Sequence, residues 1–218
     1  MKARFTSTIT RAFFLLAALS AAQPAAAQLG GRPAEEWIRT LERPERIANL
    51  KVPEVMAALK IKPGQDVADI GAGSGAFSIP FARAVKPGGN VYAVDIDKEL
   101  IEYVEMQATE QGLINVKPIL GGPSDPMLPV DVDLAFINDV LHHIEDRAGY
   151  LATLALYLKP GGRIAIIDFL PETSSHKADP KMVVSEEQAT GWLAPAGLKP
   201  VERISLFSDR WFVIYAKQ

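Results

Sequence analysis

The stretch Val67-Ala-Asp-Ile-Gly-Ala-Gly-Ser-Gly-Ala-Phe77 decides the predicted fold of this chain. A short apolar run that contains Asp69 leads directly into three glycines at alternate positions, Gly71, Gly73 and Gly75. This pattern predicts a buried strand, a tight turn and then a helix. Because glycine has no Cβ, the backbone of the turn can adopt positive φ and approach a bound molecule closely. The stretch therefore predicts a ligand-binding turn at the end of a strand.

The carboxylate of Asp69 distinguishes between the cofactors that use such a turn. Gly71-x-Gly73-x-x-Ala76 also satisfies the loose dinucleotide fingerprint, whose ligand brings an anionic pyrophosphate. At about 5 Å and an effective dielectric near 20, two like unit charges repel by roughly 3 kcal/mol. S-adenosylmethionine instead carries a sulfonium and an ammonium group, which a carboxylate attracts. Asp-x-Gly-x-Gly-x-Gly resembles the first motif of the class I S-adenosylmethionine-dependent methyltransferases. The resemblance implies that Asp69 and the three glycines hold the methionine portion of this cofactor.

A second acidic strand end follows in Asn90-Val-Tyr-Ala-Val-Asp-Ile-Asp97. In a doubly wound sheet Asp95 comes at the carboxyl end of the neighbouring strand, where a carboxylate accepts both ribose hydroxyls. Adenosyl and nicotinamide cofactors share this contact, so Asp95 supports the site without choosing the ligand. Ile96 is a candidate for contact with the adenine face, with a core position as the alternative. Asp97 is expected to cap the next helix.

The segment Val132-Asp-Leu-Ala-Phe-Ile-Asn-Asp-Val-Leu-His-His-Ile144 resembles the fourth methyltransferase motif. The resemblance implies that Asn138 lies beside the methionine part of the cofactor and that His142 and His143 lie near the methyl group. Methyl transfer is an in-line displacement that mainly requires the nucleophile and the methyl carbon to be held about 3 to 3.5 Å apart. A base is needed only where the acceptor must lose a proton, and histidine suits that role near neutral pH. His142 and His143 are therefore the catalytic candidates, with a structural or cofactor-shell role as the alternative.

One position departs from the family pattern. Many relatives carry an acid soon after the third strand, which binds the adenine amino group, but Val116-Lys-Pro-Ile-Leu120 leads here to Gly122. Ser124, Asp125 or the backbone are the possible substitutes.

The remaining segments complete a fold prediction. Helices are predicted over Tyr150–Leu158 and Ser185–Ala196, and a helix stop signal lies at Lys159–Gly162. Strands are predicted over Arg163–Phe169, Lys199–Phe207 and Arg210–Ala216. The last two strands resemble the hairpin that closes the class I methyltransferase sheet. We predict an α/β, doubly wound, Rossmann-like fold with a seven-stranded, mainly parallel sheet, an antiparallel last strand and an N-terminal helical extension.

The beginning of the chain predicts export. Lys2, Arg4 and Arg11 precede an apolar run that starts at Ala12, and Ala25-Ala-Ala27 completes a signal-peptide pattern over residues 1–27. Residues 28–60 form the predicted helical extension or lid, as two helices broken near Pro44 and Pro53, and residues 61–218 form the methyltransferase domain. With Arg43-Pro-Glu-Arg46 and the loop His176–Met182, the chain resembles a group of predicted exported bacterial methyltransferases. We therefore expect a periplasmic or secreted protein, with an uncleaved anchor as the alternative.

The composition and net charge of the chain limit the kinds of partner that it is expected to bind. Loss of the three basic residues of the signal peptide leaves 20 basic against 26 acidic side chains, a formal charge of about −6, which disfavours a nucleic-acid substrate. The chain has no Cys, and its acids and histidines show no familiar metal-ligand spacing, so no metal is expected.

The expected activity is methyl transfer from S-adenosylmethionine to a small molecule, without stable membrane insertion after signal cleavage. An inactive nucleoside-binding module on the same fold is the first alternative, and an NAD-dependent oxidoreductase is the second.

Overall fold

The computed structural model describes residues 33–217. The predicted signal peptide, residues 1–27, and the first residues of the helical extension lie outside this range. Helices and strands follow in the order α1 Ala34–Leu41, α2 Pro44–Asn49, α3 Val52–Leu59, β1 Val67–Ile70, α4 Ser78–Ala84, β2 Val91–Asp95, α5 Lys98–Glu110, β3 Val116–Leu120, β4 Val132–Asn138, α6 Arg147–Leu156, β5 Leu158–Phe169, α7 Glu186–Leu193, β6 Leu198–Arg203 and β7 Arg210–Lys217. Within residues 33–217 no helix is long and apolar enough to cross a membrane.

The strands form one seven-stranded sheet in the order β3-β2-β1-β4-β5-β7-β6. The first five strands pair in parallel, whereas β7 runs antiparallel to both β5 and β6. The predicted fold class, with its closing hairpin, is thus confirmed. The chain order reverses between β1 and β4, and in open α/β sheets ligands bind beyond the carboxyl ends of the strands at such a switch point.

Alternating side chains of the central strands supply two cores, one on each face of the sheet. On one face Val67 and Phe136 pack with residues of α3, α4 and α5, including Phe81, whose ring centroid lies 5.2 Å from that of Phe136. On the other face Ala68 and Ile137 pack with residues of α6 and α7. Both faces of the sheet are buried, as expected for a mainly parallel sheet. The sheet therefore gives its carboxyl edge a rigid support.

The N-terminal extension contains three helices, so the prediction of two helices broken near Pro44 and Pro53 is wrong. Both prolines occupy the first turn of a helix, α2 and α3 respectively. The missing N–H of proline has no intrahelical partner there, and its fixed φ suits the position, so these prolines begin helices rather than end them.

Two strand boundaries also differ from the prediction. Strand β5 begins at Leu158, which is paired with Val132, so the expected stop signal Lys159–Gly162 lies inside an irregular part of the strand. Strand β6 ends at Arg203 and not at Phe207. The chain leaves the sheet there, and the carbonyl of Leu206 accepts a hydrogen bond from Lys51 Nζ at 2.9 Å.

Candidate functional site

The glycine turn is tightly enclosed. Gly71 and Gly73 have φ values of 71° and 55°, a region that other residues rarely adopt. A Cβ on Gly71 would lie 2.8 Å from Cγ1 of Val140, and one on Gly73 would lie 3.1 Å from Cδ1 of Leu41 in α1. The N–H of Gly71 donates to the carbonyl of Val94 at 2.8 Å, which joins the turn to β2. Both conformation and space therefore require glycine at Gly71.

Asp95 ties this turn to the end of β2. Its Oδ2 accepts the N–H of Gly73 at 2.9 Å, and its Oδ1 accepts the N–H of Asp97 at 3.1 Å. The side chain is buried, and this burial raises the pKa of Asp95. Each carboxylate oxygen has a further lone pair, so the group is able to accept two hydroxyls without losing its backbone contacts.

The two residues after Asp95 have different roles. Ile96 is 36% exposed, which leaves an apolar surface open beside the glycine turn. Asp97 caps α5, since its Oδ1 accepts the N–H of Glu99 at 2.9 Å. The expected helix cap is therefore confirmed, and Ile96 is not a core residue.

Asp69 lies beneath the turn and is almost fully buried. Its Oδ2 accepts a hydrogen bond from the hydroxyl of Ser78 at 2.6 Å. Burial raises the pKa of Asp69 to about 7, and the nearby charge of Asp95 adds to the shift, while Ser78 opposes it. A cation placed nearby would favour the ionised form.

Asn138 and Asp139 end β4 at the same edge of the sheet. Among the described residues no hydrogen-bond partner is found for the Asn138 side chain. Asp139 has a φ of 55°, and its Oδ1 accepts from Arg210 Nε at 3.0 Å. The guanidinium of Arg210 also lies over the rings of Phe169 and Phe207, at 4.5 and 5.2 Å from the ring centroids. Arg210, packed against two aromatic rings, therefore contacts the residue that follows Asn138.

His142 and His143 follow β4 in a short 3₁₀ turn, Leu141–His143. His142 is 4% exposed, and its ring Nδ1 lies 2.7 Å from Oδ1 of Asp168. The other carboxylate oxygen, Oδ2 of Asp168, accepts the backbone N–H of His142 at 3.2 Å. This pairing places the Nδ1 proton towards the carboxylate and leaves Nε2 unprotonated in the neutral ring. Desolvation lowers the pKa of His143 to about 4, and the nearby His142 and His176 contribute to this shift.

The third histidine of the chain joins this pair. The His176 ring centroid lies 5.5 Å from that of His142 and 5.9 Å from that of His143. The linear spacing of the three residues matches no familiar ligand motif because His176 comes from the loop after β5. The structure thus gathers ligand-type side chains that the spacing alone did not indicate.

Three further residues contribute to the site beyond those predicted from the sequence: Asp168, Ser78 and Arg210. Asp168 had a usable signal: it comes near the end of an apolar strand, as Asp69 and Asp95 do. The contacts of Ser78 and Arg210 follow from tertiary packing, and no local pattern indicates them.

The loop after β3, where the adenine acid was expected, is closed on itself. The N–H of Gly122 donates to the carbonyl of Asp125 at 2.8 Å. Oδ1 of Asp125 accepts the N–H of Met127 at 2.7 Å and the hydroxyl of Tyr157 at 3.0 Å. Ser124 is exposed. Recognition of adenine by Ser124 or Asp125 stays a prediction.

Comparison with known proteins finds methyltransferases among the similar sequences. The chain is 35% identical over 116 residues to nocamycin O-methyltransferase of Saccharothrix syringae, covering 52% of this chain and 41% of that protein. It is 28% identical over 116 residues to demethylmenaquinone methyltransferase of Geobacillus sp. (strain WCH70), covering 53% and 50%. The chain thus spans about half or less of the length of these curated relatives.

A solved structure shares the fold. A SAM-dependent methyltransferase from Aquifex aeolicus superimposes with a TM-score of 0.75 at 24% identity, covering 86% of this chain and 100% of that one. Residues 61–200, well over half of the chain, match the methyltransferase domain family. The chain therefore belongs to the methyltransferase domain family.

Proposed function

We propose that this protein transfers a methyl group from S-adenosylmethionine to a small molecule and releases S-adenosylhomocysteine. The observation that carries the proposal is the convergence of the glycine turn with Asp69 and Asp95 at the switch point of the sheet, where Asp95 bonds to Gly73 at 2.9 Å. Family membership supports methyl transfer as the reaction.

The cofactor is S-adenosylmethionine. The region around the glycine turn at the carboxyl edge of the sheet, called the cleft below, offers complementary groups for each part of this cofactor. Gly71, Gly73 and Gly75 allow the chain to approach the methionine portion, and Asp69 supplies a carboxylate for its positive charge. Asp95 keeps two lone pairs for the ribose hydroxyls, and Ile96 offers an exposed apolar surface to the adenine. A pyrophosphate on the glycine turn would meet the carboxylate of Asp69 unfavourably, which argues against a dinucleotide.

The acceptor would lie next to Asn138 and the histidines. His142 is the better-built base because Asp168 holds its Nδ1 and leaves Nε2 to receive a proton. The lowered pKa of His143 keeps its ring neutral at pH 7, but it also makes the ring a weak base. The names of the relatives, nocamycin O-methyltransferase and demethylmenaquinone methyltransferase, support a small-molecule acceptor.

The test is methyl transfer from S-adenosylmethionine with a labelled methyl group to a panel of phenols, carboxylic acids and acidic carbon compounds. We expect acceptor-dependent release of S-adenosylhomocysteine. His142→Ala should lower turnover at unchanged cofactor affinity, whereas His143→Ala, the matched control, should lower it less. Equal turnover of both variants and the unmodified protein would mean that catalysis proceeds by positioning alone.

An inactive nucleoside-binding module is the second candidate, and the absence of an acid at Gly122 favours it. Such a protein would bind S-adenosylmethionine but methylate no member of the panel. A separate assay with NAD and 2-hydroxy acids tests the remaining alternative, an oxidoreductase.

We also infer that the protein is exported, from the signal-peptide pattern of residues 1–27. Expression with its own N-terminus should yield a mature chain that begins near Gln28 outside the cytoplasm. A full-length chain retained in the cytoplasm would contradict export.

A further inference from the structure

The three histidines of this chain converge at one point, although they come from two loops. One ring nitrogen from each of His142, His143 and His176 lies within 4.8 Å of the other two. The chain holds no other histidine and no cysteine. All of its imidazoles are therefore gathered beside the carboxyl edge of the sheet, where chance placement would scatter them.

His142 is oriented as a metal ligand usually is. Its Nδ1 bonds to Asp168, so the nitrogen available to the cluster is Nε2. Histidines that bind metals commonly donate their other ring N–H to a carboxylate, which fixes the ring and increases its basicity. Asp168 is itself held by the N–H of Phe169 at 2.8 Å and is 1% exposed. A buried carboxyl group thus stands directly behind the cluster.

Arg147 connects the two loops that carry the histidines. Its Nε donates to the carbonyl of Leu141 at 3.0 Å, and its Nη2 donates to the carbonyls of His142 and Lys181. The guanidinium charge would oppose a bound cation, but these carbonyls and the carboxylate of Asp168 offset part of it. The connection keeps the loop that carries His176 close to the turn that carries the other two rings.

The distances are those of an open site that can close. Zinc with nitrogen ligands at about 2.0 to 2.1 Å in a tetrahedron requires the nitrogens to be roughly 3.3 Å apart. The ring nitrogens lie within 4.8 Å of one another, so the rings need to approach by at most roughly 1.5 Å to reach that zinc geometry. His176 lies in a loop with hydrogen bonds between residues close in sequence, such as the one from its backbone N–H to Ser174 Oγ at 3.1 Å. Such loops shift at a low cost in free energy.

We propose that His142, His143 and His176 bind a divalent transition metal ion, with Zn²⁺ as the preferred ion. Three imidazoles suit Zn²⁺, Cu²⁺ or Ni²⁺, whereas Mg²⁺ and Ca²⁺ require oxygen ligands. Three protein ligands leave one position of a tetrahedral ion open, as in catalytic zinc sites. The proposal goes beyond methyl transfer and does not rest on it. A bound ion occupies Nε2 of His142, so this residue acts as a base only in the metal-free protein.

The experiment is calorimetric titration of the tag-free, chelator-treated full chain with Zn²⁺, together with absorption spectra of the Co²⁺-loaded protein. We expect saturable binding of one ion per chain at submicromolar affinity and the visible spectrum of four-coordinate Co²⁺. Mg²⁺ should give no saturable binding.

His176→Gln and His143→Gln are the test variants, because both residues lie outside the buried core. Each should weaken Zn²⁺ binding by about 100-fold or more, since loss of even an outer-shell partner costs about 10- to 100-fold. Ser175→Ala, in the same loop, is the matched control and should bind as the unmodified protein does. Circular dichroism of all variants confirms that they are folded. Absence of saturable Zn²⁺ binding, or equal binding by His176→Gln and Ser175→Ala, would overturn the proposal.

Discussion

Asp69 is a buried carboxyl group beside the glycine turn, and its charge should depend on what binds there. Burial raises the pKa of Asp69 to about 7, far above the value of an exposed aspartate. The folded protein therefore keeps a proton between about pH 4 and 7 that the unfolded chain loses. This contribution to stability is fully present below about pH 4 and is lost as the pH rises through 7. A carboxylate that is costly in the empty cleft suits a site built for a cationic ligand.

Asp69→Asn should make the ligand-free protein more stable at pH 8, because a neutral amide avoids the buried charge and still accepts from Ser78. The expected gain in unfolding free energy is about 1 kcal/mol or more. Urea denaturation at pH 5.5 and pH 8 measures it. The unmodified protein should lose more stability than the variant between these two pH values. An identical loss of stability in both proteins between these pH values would contradict the assigned pKa. Asp69→Asn should also bind S-adenosylmethionine more weakly than the unmodified protein.

Asp95 gives a second prediction at the scale of single residues. Asp95→Ala should abolish cofactor binding, because it removes both ribose acceptors and also leaves the N–H groups of Gly73 and Asp97 unpaired. Asp95→Asn keeps the shape and one acceptor, so it should weaken binding by roughly 10- to 100-fold, the value of a hydrogen bond to a charged group. Calorimetry measures both. An affinity of the Ala variant within about threefold of the original would exclude the ribose contact.

At the scale of elements, the turn between β1 and α4 depends on Val140 in the segment after β4. Gly71→Ala should destabilise the protein by about 2 kcal/mol or more, from positive φ and from the clash with Val140. Val140→Ala alone removes methyl groups, and the double variant should recover the steric part but not the conformational part. Thermal denaturation of the four proteins gives the coupling energy. Additive effects would mean that Val140 does not limit the turn.

Helix α1 covers the glycine turn through Leu41, which supports the proposed role of the extension as a lid. The hydroxyl of Tyr103 in α5 donates to Glu42 at 2.7 Å, just after α1. Tyr103→Phe should speed both association and release of S-adenosylmethionine with little change in affinity, as stopped-flow measurements would show. Glu42→Gln keeps an acceptor and is the matched control. An unchanged association rate would indicate that the cofactor enters without movement of α1.

The elements differ in how far their sequence predicts them. The apolar strands β1, β2 and β4 carry an acid or an amide at or next to their last residue, and burial on both faces gives them a strong signal in the sequence. The prolines of the extension give a wrong prediction, since a proline within a helical pattern indicates a boundary but not which side of it the helix occupies. The end of β6 is not predictable locally either, because the segment after it contacts the distant Lys51 through the carbonyl of Leu206.

At the scale of the whole molecule, sheet topology accounts for what sequence reasoning found. Parallel strands bring their carboxyl ends to one edge, so Asp69, Asp95 and Asn138 meet although many residues separate them. The histidine cluster follows a different logic: the path of the loop after β5 decides where His176 lies, and no periodic pattern encodes that path. The cofactor half of the cleft was therefore predictable, and the histidine half only in part.

The most direct test of the central claim is calorimetric titration of the chain from Gln28, its predicted mature start, with S-adenosylmethionine, S-adenosylhomocysteine and NAD in parallel. We predict micromolar binding of both adenosyl ligands and no binding of NAD. Silence from both adenosyl ligands, with a folded protein confirmed by circular dichroism, would contradict the assigned cofactor.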